Sequence, residues 1–178
     1  MTRDEALTWS LLTDKRSATA LQDFSCTQPR ERSSQGRRLP HPRPWEREAQ
    51  SLLRQAKPNP KVGELVLVGR PLTDESSIAA AAFLALDSAE VPSTFIRSCG
   101  VAREHRGHDG STADLLIKQI IAISLSQLQS SGSGQLVIYG NVHVHNRPCE
   151  ALLERHAFEP VGIPHNNYSQ WARRVLLT

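Results

Sequence analysis

Apolar positions along the chain follow two rhythms, and the change from one to the other falls near residue 110. Before it, Leu7–Leu12 is a short apolar segment that predicts a first strand, and Ala18–Phe24 predicts a short helix. Trp45–Ala56 reads as a second helix, with Leu52 and Leu53 among charged residues and Trp45 placed to pin its start to the core. Lys57–Pro60 ends that helix, because proline resists helical continuation. Glu64–Gly69 alternates, Ile78–Leu86 is a continuous apolar run, and Thr94–Ala102 is a further strand. Connections at Arg70–Ser77 and Asp87–Pro92 join these three into an antiparallel meander.

Beyond the turn the period becomes 3.6. Thr112–Leu128 carries Ala113, Leu116, Ile117, Ile120, Ile121, Ile123 and Leu125, the broad apolar face of a core helix. Ser130–Gly134 (SSGSG) stops it. Gln135–Val144 then predicts a strand, and Arg147–His156 a helix with Pro148 tolerated near its start. Phe158–Gly162 and Tyr168–Leu177 predict two last strands. The class is α+β: a mixed, mostly antiparallel sheet flanked by helices, in one domain over residues 1–178.

Charge changes the picture in one place. The net charge of +3 is too small to argue for nucleic acid by itself. Within Thr27–Arg47 (TQPRERSSQGRRLPHPRPWER), however, arginines stand at 30, 32, 37, 38, 43 and 47 among prolines at 29, 40, 42 and 44. This segment cannot bury enough apolar surface to fold alone and predicts a mobile basic loop. Arg30–Arg47 reads either as a solvated connection or as a contact surface for an acidic partner such as RNA.

The cysteines exclude more than they suggest. Cys26, Cys99 and Cys149 are odd in number and form no CxxC pair, which argues against a disulfide framework or a metal site. They read as ordinary thiols of a protein in a reducing cytoplasm, Cys99 and Cys149 as small buried residues. The opening MTRDEALTWSLLTDKR lacks the apolar region of a secretory signal, and no apolar run reaches a membrane-spanning length.

Candidate chemistry concentrates in Val101–Leu116, VAREHRGHDGSTADLL, where a strand ends, a glycine-containing turn follows and a helix begins. Unpaired backbone N–H groups and the helix dipole make such a turn an anion site suited to a pyrophosphate. Glycine allows close approach, and Arg106 offers a charge-assisted contact. The alternative is an ordinary helix start capped by Ser111 or Thr112. A second stretch, Val142–Gly162, reads VHVHNRPCEALLERHAFEPVG. Together the two resemble the GNAT superfamily of acetyltransferases, whose pattern is a strand, RGxGxGxxLL, a helix, and then V-x-x-x-N-x-x-A-x-x-L-Y-E-x-x-G-F. Val142, Asn146, Leu152, Glu154, Arg155 and Phe158 fall in register with it. The resemblance spans Gly63 to about Gly162 and fades in the first sixty residues.

That resemblance implies acetyl-CoA as co-substrate, an amine as acceptor, and a pyrophosphate cradled by Arg106, Gly107, Gly110, Ser111 and Thr112. This register counts back from Leu115–Leu116 and implies one extra residue in the turn. It also implies that pantetheine lies along Gly100–Ala102, that an N–H near Val101 stabilises the oxyanion, and that Asn146 caps the next helix and contacts the cofactor. Leu153 stands where the superfamily often has the tyrosine that protonates the departing thiolate. The loss leaves open a non-catalytic acyl-CoA-binding module, and it counts against an aminoacyl-tRNA acetyltransferase, the reading that would use the basic loop on RNA. For acid and base the residues offer Tyr139 and His143, on one face of a strand with Asn141. Imidazole suits proton exchange near neutral pH. The bland alternative places His143 and His145 at the surface near a strand end.

Overall fold

The computed structural model describes residues 6–58, 60–106 and 111–176. Its seven strands are β1 (Leu7–Leu11), β2 (Glu64–Pro71), β3 (Ala80–Asp87), β4 (Ser93–Val101), β5 (Gln135–His143), β6 (Glu159–His165) and β7 (Tyr168–Leu176). They form one sheet in the order β1-β2-β3-β4-β5-β7-β6. Four helices accompany it: α1 (Lys15–Gln22), α2 (Pro44–Arg54), α3 (Ser111–Ser131) and α4 (Arg147–Arg155). Every neighbouring pair of strands is antiparallel except β4–β5. That exception follows from α3, because a helical crossover returns the chain to the end it left.

Both faces of the sheet are covered at its centre, while β6 at the edge is exposed throughout. On one, Leu116, Ile117 and Ile120 of α3 pack with Leu84, Leu136 and Ile138, joined by Leu153 of α4, Phe158 and Trp171. On the other, Leu21 of α1, Phe24 and Leu53 of α2 pack on Val66, Val68 and Ala81. Two-sided burial explains why Ala79–Ala82 reads as a run rather than an alternation: all four residues are fully buried. Small side chains there let helices approach from either side.

Local chemistry sets the ends of elements. Asp14 caps α1 by accepting the Ser17 N–H at 2.8 Å. At the end of α4 the Phe158 N–H bonds to the Leu153 carbonyl and the Ala157 N–H to the Glu154 carbonyl. This Schellman closure forces Ala157 to φ 58°, a left-handed position usually given to glycine. Asn166 and Asn167 take φ 49° and 65° between the paired residues His165 and Tyr168, a two-residue turn whose twist suits a hairpin.

The predicted mobile loop is more ordered than its composition suggests. Arg32 and Arg38 form an antiparallel bridge, the Leu39 N–H bonds to Glu31 O and the Ser33 N–H to Arg37 O, and Gly36 turns the chain at φ 76°. Its last residues, Pro44–Arg47, are the first turn of α2. Backbone pairing supplies the order that apolar burial cannot.

Candidate active site

The site begins with a defect in β4. Phe83 of β3 pairs with Ser98, but Leu84 pairs with Ile96, so Arg97 is an extra residue. A bulge of this kind bends its strand and reverses the faces of the residues beyond it. On the other edge, β4 and β5 pair only from Ser93↔Val137 to Ile96↔Gly140. Pairing stops one residue before the bulge, and the strands diverge. At the last pair Gly140 has no side chain to spare: a Cβ there would lie 3.3 Å from the Ile96 Cβ.

The divergence opens a cleft of about 810 Å³ lined by Cys99, Gly100 and Val101 of β4, Asn141 and His143 of β5, and residues of α2, α3 and α4. Ala102 gives its N–H to Ala79 O at 2.7 Å. Successive residues of a strand aim their amides to opposite sides, so the Val101 amide points toward the edge where β5 has diverged. The Val101 carbonyl, on that same side, accepts Arg106 Nε at 3.3 Å. Thr112, buried at the first turn of α3, also lines the cleft. An exposed strand edge beside a helix N-terminus fits an elongated ligand with amide and phosphate groups.

The predicted residues are brought together unequally. Val101, Arg106, Thr112, Asn146 and His143 all line the cleft. Gly107 and Gly110 lie outside the described residues, and Ser111 is described only as the first residue of α3. Arg106 is folded back rather than free: besides Val101 O, its guanidinium donates to Glu46 Oε1 at 3.0 Å and to Cys26 O. Asn146 occupies the N-cap of α4, but its side chain makes no capping bond. Its backbone (φ −89°, ψ 59°) is not the extended one from which a cap side chain reaches back.

Tyr139 is absent from the cleft lining among the described residues. It sits where the strands are still paired, opposite Phe95, and stacks on that ring at 5.0 Å. His143 lies beyond the divergence. Its ring stacks on Trp45 at 4.5 Å and meets the Tyr168 ring edge-on at 5.3 Å. Its Nδ1 accepts the His145 N–H at 3.3 Å, which engages one ring nitrogen within the chain. Trp45 therefore pins α2 to the cleft wall rather than to the core.

Three cleft groups escape the sequence pattern. Tyr168, at the start of β7, donates its hydroxyl to Glu48 Oε2. Burial, together with that bond and the Glu48 charge, pushes the phenol up from 10 to about 12. Glu46 on α2 is one-tenth exposed; its Oε1 meets Arg43 and Arg106, and its buried Oε2 has no partner among the described residues. The Trp45 indole Nε1 is likewise buried without a partner. These residues come from segments roughly 120 positions apart along the chain, so no local motif unites them. The cysteines, by contrast, are unreactive in kind. Burial pushes Cys26 and Cys99 up to about 11 and Cys149 to about 12. Among the described residues no cluster of histidine, cysteine and carboxylate side chains suits a metal ion, and no helix is long and apolar enough to cross a membrane.

No family model and no curated protein matches the sequence. Solved structures do. A structure of AtaTR bound with acetyl-CoA superposes with a TM-score of 0.61 at 15% identity, over 92% of this chain and 91% of that one. The GNAT domain of PAT from S. lividans gives 0.60 at 13% identity, over 95% and 90%. The ribosomal-protein-S18-alanine N-acetyltransferase from Escherichia coli gives 0.57 at 15% identity, over 97% and 96%. Sheet order, the single parallel junction and these whole-length superpositions agree: the chain has the fold of the GNAT acetyltransferases.

Proposed function

We propose that the protein transfers an acetyl group from acetyl-CoA to a primary amine. The observation that carries this reading is the divergence of β4 from β5 after Ile96, which turns the Val101 amide toward a cleft ending at the N-terminus of α3. That edge can hold pantetheine as an added strand, with the Val101 N–H toward the developing oxyanion. The first turn of α3, with Thr112, and the preceding Gly107–Gly110 would receive the pyrophosphate. Arg106 would join it on giving up part of its hold on Glu46.

The acceptor enters from the α2 side. Glu46 Oε2, buried and unpartnered, receives the ammonium group and takes a proton from it, while the Trp45 and His143 rings form an aromatic wall for the carbon next to nitrogen. The amine nitrogen attacks the thioester carbonyl, the carbon–sulfur bond breaks, the thiolate takes a proton from Tyr168, whose phenol is held protonated across the working pH range, and the second proton shed by the nitrogen restores the phenol. Tyr168 thus supplies the hydroxyl that Leu153 lacks, and the roles first sought in Tyr139 and His143 pass to Tyr168 and Glu46. Three free thiols support a reducing cytoplasm as its compartment.

The test is thiol release from acetyl-CoA with a panel of small amines, peptides and charged tRNA. Release that depends on one acceptor class supports transfer. Calorimetric binding of acetyl-CoA with no release from any acceptor would overturn it in favour of a binding module.

A further inference from the structure

Across α2 from the cleft lies a second concavity, of about 270 Å³, lined by Thr27, Gln28, Pro29, Arg30, Arg38, His41, Arg47 and Gln50. Three of these are guanidinium groups, and none of the residues is a carboxylate. Among the described residues, no ion pair or hydrogen bond engages the side chain of Arg30, Arg38 or Arg47. Like charges held together repel unless something anionic lies between them.

The walls are braced by other residues. His41 Nδ1 accepts the Arg43 N–H at 3.1 Å, which leaves Nε2 as the donor to Gln28 O at 3.0 Å. The imidazole therefore joins the two arms of the loop. Gln50 Oε1 accepts the Cys26 N–H at 2.9 Å, which ties the first arm to α2 and turns the carboxamide NH₂ outward. With the Thr27 hydroxyl, the concavity presents forked cationic donors, neutral donors and no acidic acceptor.

We propose that this concavity binds a terminal phosphate group. A phosphate dianion offers three oxygens and two charges to three planar forks, a better match than the two oxygens and single charge of a carboxylate. A terminal phosphate also fits better than the backbone of a nucleic acid. A strand needs a continuing rail of free cations, and two of the three flanking arginines, Arg32 and Arg43, are engaged within the chain. Arg32 Nη1 bonds to Gly36 O and Arg43 is paired with Glu46. The site is separate from the cleft, since α2 turns Trp45, Glu46 and Ala49 to one pocket and Arg47 to the other. It is independent of acetyl transfer.

The probe is inorganic phosphate, titrated by calorimetry in a phosphate-free buffer of constant ionic strength set with chloride. Wild type should bind one phosphate and the Arg30→Gln, Arg38→Gln, Arg47→Gln triple variant none. Each single substitution should weaken binding roughly ten-fold, the worth of one charge-assisted contact. Because the three side chains are exposed, thermal melting of the variants should match wild type. Unchanged phosphate affinity in the triple variant would overturn the proposal. So would loss of phosphate binding on saturation with coenzyme A, which would place the phosphate in the cleft. So would a single-stranded RNA that binds far more tightly than phosphate with a salt dependence reporting several neutralised phosphates.

Discussion

Ala157 holds its backbone at φ 58° because the end of α4 closes on Leu153 and Glu154, and a Cβ there is strained. Removing it should relieve the strain. Ala157→Gly is expected to raise stability by about 1 kcal/mol in urea unfolding, the cost of a left-handed L-residue. Tyr168 gives a prediction in pH. Its phenol is raised above the unfolded value of 10 to about 12, so the contribution is complete below pH 10 and falls away between pH 10 and 12. Melting curves over that window should drop more steeply for wild type than for Tyr168→Phe, while the same substitution slows thiol release at neutral pH. At this scale the sequence was legible where function rests on a local run. The strand end at Val101 and the helix start at Thr112 are close in sequence, so both could be read there, and both line the cleft. Period two gives the face of Tyr139 but not that its strand is still paired there, where it stacks on Phe95 outside the cleft lining. Trp45, Glu46 and Tyr168 could not be found, since tertiary folding alone brings them to one cleft.

The elements themselves were legible almost throughout, for a physical reason. Each strand and helix has an apolar set that must be buried, and that set survives in the sequence as a period. What period cannot show is one extra residue. The Arg97 bulge changes neither the apolar content nor the length of β4 appreciably, yet it sets where the sheet opens. Order in the basic loop was hidden for a related reason, because backbone pairing between Glu31 and Leu39 leaves no mark on composition. Between elements, Asp114 of α3 clasps α4: it accepts Arg155 Nη2 at 3.0 Å and meets His156 Nε2 at 2.8 Å. Burial alone would raise its carboxyl, but the bonds from Arg155 and His156 outweigh that and hold it below its usual 3.8. The contribution is therefore present above that value and lost as pH falls through the depressed one. Asp114→Ala should cost about 1 kcal/mol at neutral pH, and its urea midpoint should fall less than wild type on acidification toward pH 3.

For the molecule as a whole, the cleft joins the two halves of the sheet, so a ligand lying along β4 would bind the native state and not the unfolded chain. Acetyl-CoA at a hundred times its dissociation constant should add about 2.7 kcal/mol and raise the melting temperature by roughly 5 °C or more. Differential scanning calorimetry with and without the co-substrate measures this directly, and Arg106→Ala should reduce the shift. The four-pair junction between β4 and β5 has a consequence for how the chain folds. The ribbon β2–β4 and the ribbon β5–β7 with α4 each close over shorter stretches of chain than the one that separates β4 from β5. Their meeting requires the long crossover through α3 to close before four residue pairs reward it. By loop length the two ribbons are expected to gather first and separately, with the seam between them, like the pairing of β1 with β2, closing later. The place where the protein is proposed to do its chemistry is then among the last parts of the sheet to become native.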